Sequence, residues 1–471
     1  MAVAPNAVNY SNQLPLGIEA KSQRRLFFPS TGDSYSGDGS SIIRISLNYD
    51  GMLDTSLSYL KFTYKNVSPT GGTASGELVR DLGQPEIARL VVSSGGVVLE
   101  DIQNYNQLLG SILVPCQGND GIVAEQINNF NAFAGVIKGA NTATDAKASE
   151  VVVPVNGVQR GALTYETAIA GGRVPANDNI SVKSQGKTTV CYKLVSGLLD
   201  NEKYLPLVLM NNGIDIEIHL ESGLRHASNI DAVDSAYEIS NVRYVAHLID
   251  LQRDFYDMLR MTQQQSGGVI QIAGQTYRHF SNSLAKDATS SQTFNIPVRA
   301  RSIKSVFFVG APANAGQKTF DLSSTSRMAL EDYQIQIGAT KYPPTPINAD
   351  KADEGNSEAY HELMKSFGKL GSTIHSNLLC GVNYLKTDRL DGAVQGAFMN
   401  FSPYGIDLET FRAEIENGVD TSSRALPMSL LLNIGAGAGA GSNTTDLTLH
   451  TYALIDALFF VNMDGSISVS A

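Results

Sequence analysis

Two apolar segments of this 471-residue chain, 221 residues apart from Pro206 to Pro427, share one outline. Leu205-Pro206 leads the first and Leu426-Pro427 the second. Each follows a strand pair, a turn and a helical stretch, and each precedes a Gly-containing turn and an alternating strand. Both prolines suit the first residue of a strand, where a missing N–H is tolerated. A repeat of such long period and weak identity predicts two copies of one β fold. The expected class is mainly β: two tandem β-sandwich barrels with short helices and long loops.

Period-two alternation supports this in both halves. Ser41 to Asn48 places Ile43, Ile45 and Leu47 on one face, and Ser56 to Tyr64 places Leu60, Phe62 and Tyr64 together. Ile87 to Val92 and Val97 to Leu99 flank Ser93-Ser94-Gly95-Gly96, a hairpin pattern. Ile102, Tyr105, Leu108, Leu109 and Ile112 then predict a helix from Asp101 to Leu113. Tyr204 to Leu220 and Tyr237 to Leu251 close the first batch. Phe255, Met258 and Leu259 continue as a connecting helix before the Gln/Gly-rich boundary at 263–268. Second-batch strands are expected at Val269 to Ile272, Gln292 to Val298, Ile303 to Gly310, Tyr333 to Gly338, Gly396 to Phe401 and Leu426 to Ile434. Asp446 to Asp456, Leu458 to Asn462 and Ser466 to Val469 follow. Tyr342-Pro343-Pro344-Thr345-Pro346 reads as a turn ahead of a helix at Ser357 to Phe367. The expected divisions are an N-terminal arm at 1–25, a first barrel at 26–250 with a loop insertion at about 117–189, and a second barrel at 251–471.

The chemistry-bearing residues argue for a structural protein. With 35 Lys+Arg against 46 Asp+Glu the net charge is −11, opposite to what broad phosphate binding needs, so no general nucleic-acid binding is expected. Lys21, Arg24 and Arg25 form an isolated basic cluster that fits an acidic partner or keeps a terminal arm solvated. The start of the chain has no basic stretch followed by an apolar one, which predicts synthesis in the cytosol without a signal peptide. Cys116, Cys191 and Cys380 form no CxxC pair and suggest neither a disulfide framework nor a zinc site. The seven histidines show no HExxH or His-x-His spacing and read as isolated side chains. No G-x-S-x-G elbow occurs. Glu100-Asp101, Glu331-Asp332 and Asp353-Glu354 are sequence neighbours, which read as solvated or capping carboxylates rather than an acid–base dyad. The Gly435 to Gly441 glycine–alanine run precedes a β-like segment instead of a helix, so it reads as a hairpin loop and not a phosphate cradle. No catalytic, cofactor or metal site is expected, and no enzyme activity.

Gln84 to Leu113, with Leu90, Gly95, Gly96, Glu100 and Tyr105, and Tyr204 to Leu220, with Leu205-Pro206-Leu207 ahead of Gly213 to Ile218, resemble the double jelly-roll major capsid proteins of DNA viruses. The resemblance is nearest to those of polinton-like viruses, adintoviruses and virophages. Phe411 to Leu432, with Gly418, Asp420, Thr421, Ser422 and Leu426-Pro427, resembles the corresponding part of the second barrel. The resemblance implies two eight-stranded jelly rolls and a homotrimer of pseudo-hexameric outline that tiles an icosahedral capsid in the virion. Implied partners are neighbouring capsomers, with a penton, minor capsid proteins or an internal membrane beside them. Residues 117–189 and Pro343 to Asp353 are expected as outward or trimer-locking decorations, and Lys21, Arg24 and Arg25 as part of an inter-subunit arm. The alternatives from other classes are a trimeric β-sandwich adhesin or receptor-binding fibre protein and a β-rich hydrolase with a dispersed triad; neither calls for two equal barrels in tandem.

Overall fold

A computed structural model describes residues 19–37, 39, 41–67, 78–80, 83–117, 154–155, 158–159, 181–182, 187–222, 227–229, 236–285, 288–313, 325–349, 356–370, 379, 384, 402–411, 416–423, 426–435 and 446–470. Most of the expected 117–189 insertion, residues 1–18 of the expected arm, 350–353, Cys380, the strand expected at Gly396 to Phe401 and the glycine–alanine run beyond Gly435 lie outside these residues.

The first half supplies β1 (Ala20–Phe27), β2 (Ile42–Leu47), β3 (Met52–Asn66), β4 (Ile87–Ser94), β5 (Val97–Gln103), β6 (Lys187–Tyr192), β7 (Ile214–Leu220) and β8 (Tyr237–Leu251). The second supplies β9 (Val269–Leu284), β10 (Ser290–Ile296), β11 (Ile303–Pro312), β12 (Leu330–Ile337), β13 (Thr340–Asn348), β14 (Tyr404–Asp407), β15 (Met428–Ile434) and β16 (Leu447–Asn462), with β17 (Ile467–Ser470) folded back on β16. Helix α1 spans 105–117 and includes a π-helical turn at Leu109–Leu113; α2 is Arg253–Gln265 and α3 is Ser357–Ser366.

The hydrogen-bonded order in the first half is β1-β8-β3-β6 in one sheet and β2-β7-β4-β5 in the other. In the second half it is β9-β16-β11-β14 and β10-β15-β12-β13. Shifting every first-half label by the same number of strands reproduces the second-half orders in full. Apart from the β4–β5 and β12–β13 hairpins, chain neighbours alternate between two antiparallel sheets, which makes a jelly roll, so the fold is two jelly rolls in tandem joined by α2.

Burial explains why these segments pair as they do. Ile214, Ile216, Ile218 and Leu220 of β7 face inward, as do Met428, Leu430, Leu432 and Ile434 of β15, while the residues between them look outward. The β4–β5 hairpin turns at Gly95 and Gly96, whose φ angles of 56° and 84° fit a turn that only small residues adopt without strain.

Three expectations are corrected. The two Leu-Pro pairs are not structural equivalents: Leu426-Pro427 runs directly into β15, whereas Leu205–Pro206 is a two-residue bridge to β3 followed by a 3-10 turn at Leu207–Leu209 before β7 begins. The repeat is real, but its equivalent strands begin at Ile214 and Met428. Asp101 to Gln103 belong to β5, because Asn104 in the left-handed region separates strand from helix. The segment holding Pro343, Pro344 and Pro346 is not a turn but a bulged stretch of the edge strand β13. On an edge no second neighbour needs the missing N–H groups, and Gln334 Nε2 donates to the carbonyls of Pro343 (2.6 Å) and Pro344 (3.1 Å) across the bulge. Ala20 to Arg25, within the expected arm, form the first part of β1.

Candidate functional site

Where the two barrels meet, the structure brings together side chains that are far apart in sequence. The wedge between them is α1. Tyr105, Leu108, Leu109, Ile112, Leu113, Val114 and Cys116 are all buried, and the helix also packs on β11 of the second barrel. Its polar side is buried as well: Asn106 donates to Glu221 at 3.1 Å and to the Pro85 carbonyl at 3.2 Å, so the helix is enclosed all round.

Beside α1 the backbones of the two barrels touch. A Cβ on Gly197 would stand 2.5 Å from the Gln275 carbonyl oxygen, and one on Gly274 would stand 2.4 Å from the Gly197 oxygen. Asn201 Nδ2 spans the contact, donating to the carbonyls of Gly197 (3.0 Å) and Ala273 (2.7 Å). Glu100, read from sequence as solvated or capping, is instead buried under this contact. It accepts from the Ser196 hydroxyl and from the N–H groups of Gly197 (2.8 Å) and Leu198 (3.1 Å). Burial pushes its carboxyl pKa up, and these donors only partly offset the shift.

A second polar chain crosses the junction through histidines that sequence spacing left isolated. Asn104 Nδ2 donates to His279 Nδ1 at 3.3 Å, which leaves the His279 Nε2–H to donate to His450 Nδ1 at 2.9 Å. Tyr452 closes the loop by donating its hydroxyl to the Asn104 carbonyl at 3.0 Å. Burial pushes the His279 pKa down to about 4. A cleft of about 310 Å³ opens alongside, lined by Glu100, Asp101, Arg278, His279 and Val469 among others. Arg278 is tied to the Arg299 carbonyl (2.9 Å) and Asp101 to Arg89 (2.7 Å). At the far end of the junction, Asn211 N–H donates to the Gly465 carbonyl at 3.0 Å, and its side-chain Nδ2 donates to the backbone carbonyl of Asp464. These bonds hold two barrels at a fixed angle. They do not line up a nucleophile, a base and an oxyanion pocket, and among the described residues no cluster of three or more His, Cys, Asp or Glu could hold a metal ion.

The basic cluster lies elsewhere. Lys21, Arg24 and Arg25 sit on β1, the edge strand of the first barrel, opposite Asp250, His247 and Ala246 of β8. Arg25 lies over the rings of Phe27 and Tyr49, each at 5.4 Å. Of the other sequence-flagged pairs, Glu331 and Asp332 both accept from Asn433 Nδ2 (3.3 and 3.2 Å), while Asp353-Glu354 lies outside the described residues. Sequence reasoning missed the Gly197–Gly274 contact, Asn201 and the histidine relay, because each is made between residues with no sequence proximity.

No protein-family model matches the chain, and no curated protein matches it. Solved structures do. The Faustovirus major capsid protein superposes with a TM-score of 0.54 at 10% identity, over 96% of this chain and 92% of that one. The mavirus major capsid protein gives 0.53 at 10% identity, over 100% and 95%. The PBCV-1 virus capsid gives 0.51 at 10% identity, over 98% and 99%. At such identities the likeness establishes the fold, and it does so along almost the full length of both partners.

Proposed function

We propose that this chain is a viral major capsid protein, the structural subunit of an icosahedral shell. Three copies form a homotrimer whose six barrels give it a pseudo-hexagonal outline, and neighbouring trimers tile the faces of the virion. The observation that carries this reading is the doubled strand order, matched end to end by the major capsid proteins of Faustovirus and mavirus. Nothing in those matches favours the fibre or adhesin alternative.

A shell subunit works by burying surface between copies, and permanent interfaces of this kind exceed about 2,000 Å². Each barrel must therefore present its outer surface at a constant angle to the next. The wedge of α1, the glycine-to-glycine contact and the Asn201 bonds supply that rigidity. Large apolar side chains remain more than half exposed on the single chain, among them Phe28, Leu57, Met261 and Phe411. Further partners on this reading are a penton, minor capsid proteins or an internal membrane, and the working residues are interface residues rather than catalytic ones.

Expression of the full chain followed by gradient sedimentation and negative-stain microscopy tests the reading. Hexagonal capsomers or closed shells are expected. Elongated spikes would overturn it in favour of a fibre, and a hydrolytic activity abolished by one Ser or Cys substitution would overturn it in favour of an enzyme.

A further inference from the structure

The contact between the barrels runs head to tail. β5, at the edge of the first barrel's smaller sheet, lies with Asn104 against β9, at the edge of the second barrel's larger sheet. The strand orders make β13 the counterpart of β5 and β1 the counterpart of β9. Neither counterpart is used that way inside the chain. Among the described residues β1 ladders with β8 alone, and Ala20 to Arg25 are exposed on both faces. β13 likewise ladders with β12 alone and is largely exposed. A head-to-tail contact left open at both ends extends into a filament or closes into a ring.

Resting on the capsid reading, we propose that β1 of one copy receives β13 and the start of α3 of the next, so that the barrel-to-barrel contact made once within the chain is repeated between chains and closes the ring.

The chemistry of the two surfaces fits this assignment. β1 has no glycine, so it cannot reproduce the backbone approach made at Gly274; it offers charge instead. None of Lys21, Arg24 and Arg25 makes an ion pair with a described residue. On the same sheet Lys61 of β3 and Arg243 of β8 stand directly opposite one another, a like-charge pair that is unfavourable until an acidic group approaches. Phe28 stays exposed beneath Arg243, 5.6 Å from its guanidinium carbon. β13 itself carries one charged side chain, the exposed Lys341 near its start, and the acidic groups gather at its other end. Asn433 holds Glu331 and Asp332 together, Asp332 stands opposite Asn348 at the end of β13, and Glu358 at the start of α3 accepts from the Asn348 N–H at 3.2 Å. A basic edge on one copy and the acidic end of β13, with Lys341 kept to the opposite end, give the contact both its register and its direction.

Native mass spectrometry of the full-length chain is the test. The wild type is expected at three times the 50.4 kDa chain mass. The Arg24→Glu/Arg25→Glu variant should lose at least tenfold in trimer at the same concentration, with circular dichroism and thermal unfolding of the single chain unchanged. Adding Glu331→Lys and Asp332→Lys to that variant should restore the trimer by reversing the charges on both sides. Carbodiimide treatment of a mixture of isotope-labelled and unlabelled wild-type chains should join Lys21 to Glu331, Asp332 or Glu358 across copies, which requires no variant to fold. A charge-reversed variant that still forms trimers, or trimers in which Lys21 is joined to none of these carboxylates, would overturn the assignment while leaving the capsid reading in place. A wild type found only as a single chain would overturn the reading and the assignment together.

Discussion

His279 is a buried titratable group at the junction between the barrels. Its ring stays neutral in the folded chain down to about pH 4, against an ordinary value of 6.5 when the chain is unfolded. Between those values the unfolded state binds more protons, so stability falls as the pH drops through this window, by roughly 3 kcal/mol at most. Glu100, with its pKa raised by burial, acts in the opposite sense at the acid end, so the histidine's share must be read from a variant. His279→Gln is expected to shrink the loss of melting temperature between pH 7 and pH 4.5; a loss equal to that of the wild type would contradict the assignment. Gly197→Ala addresses the backbone contact. Its new Cβ would lie 2.5 Å from the Gln275 oxygen, and overpacking of this kind costs about 1–3 kcal/mol. Calorimetry should show a melting temperature several degrees lower or two separated transitions, and a single unshifted transition would count against a rigid junction. None of these roles was legible in the sequence. Glu100 next to Asp101 looks like any exposed acidic pair, and only the second barrel, folded against it, makes it a buried acceptor.

The elements were legible in proportion to how one-sided their burial is. β7 alternates without a break because one face meets the core and the other does not, so its periodicity survives in the letters; β15 alternates equally in burial, but Leu431 on its outward face blurs the pattern in sequence. β13 carries no such signal. It is exposed along most of its length and interrupted by prolines, and it reads as a turn until its pairing with β12 is seen. β9 was recognised only at its first residues because its two faces meet different surroundings, solvent on one stretch and the first barrel on another. The side chain that makes the β13 bulge possible is Gln334, which is buried and serves two carbonyls. Gln334→Leu keeps the volume and removes the donor, so a destabilisation of about 1–3 kcal/mol is expected in denaturant unfolding. A variant as stable as the wild type would show that the bulge holds itself.

For the whole molecule, the proposed function rests on duplication: one fold used twice within a chain would give a threefold assembly nearly sixfold contacts. The period of the repeat was visible in the sequence although its anchoring Leu-Pro pairs proved not to be equivalent, since two divergent copies keep strand order better than they keep landmarks. Residues 1–18 precede β1, on the edge where the next copy is proposed to dock. Truncating them should lower the yield of closed shells in electron micrographs more than it lowers the yield of trimers by native mass; equal loss of both would contradict a role between capsomers. Single-particle cryo-electron microscopy of the isolated wild-type oligomer asks most directly whether one fold used twice builds the capsomer. Averages with threefold symmetry and six barrel-sized lobes, alternating between first and second barrels, are the expected result. Averages with three lobes, or with two barrels swinging freely about α2, would contradict it.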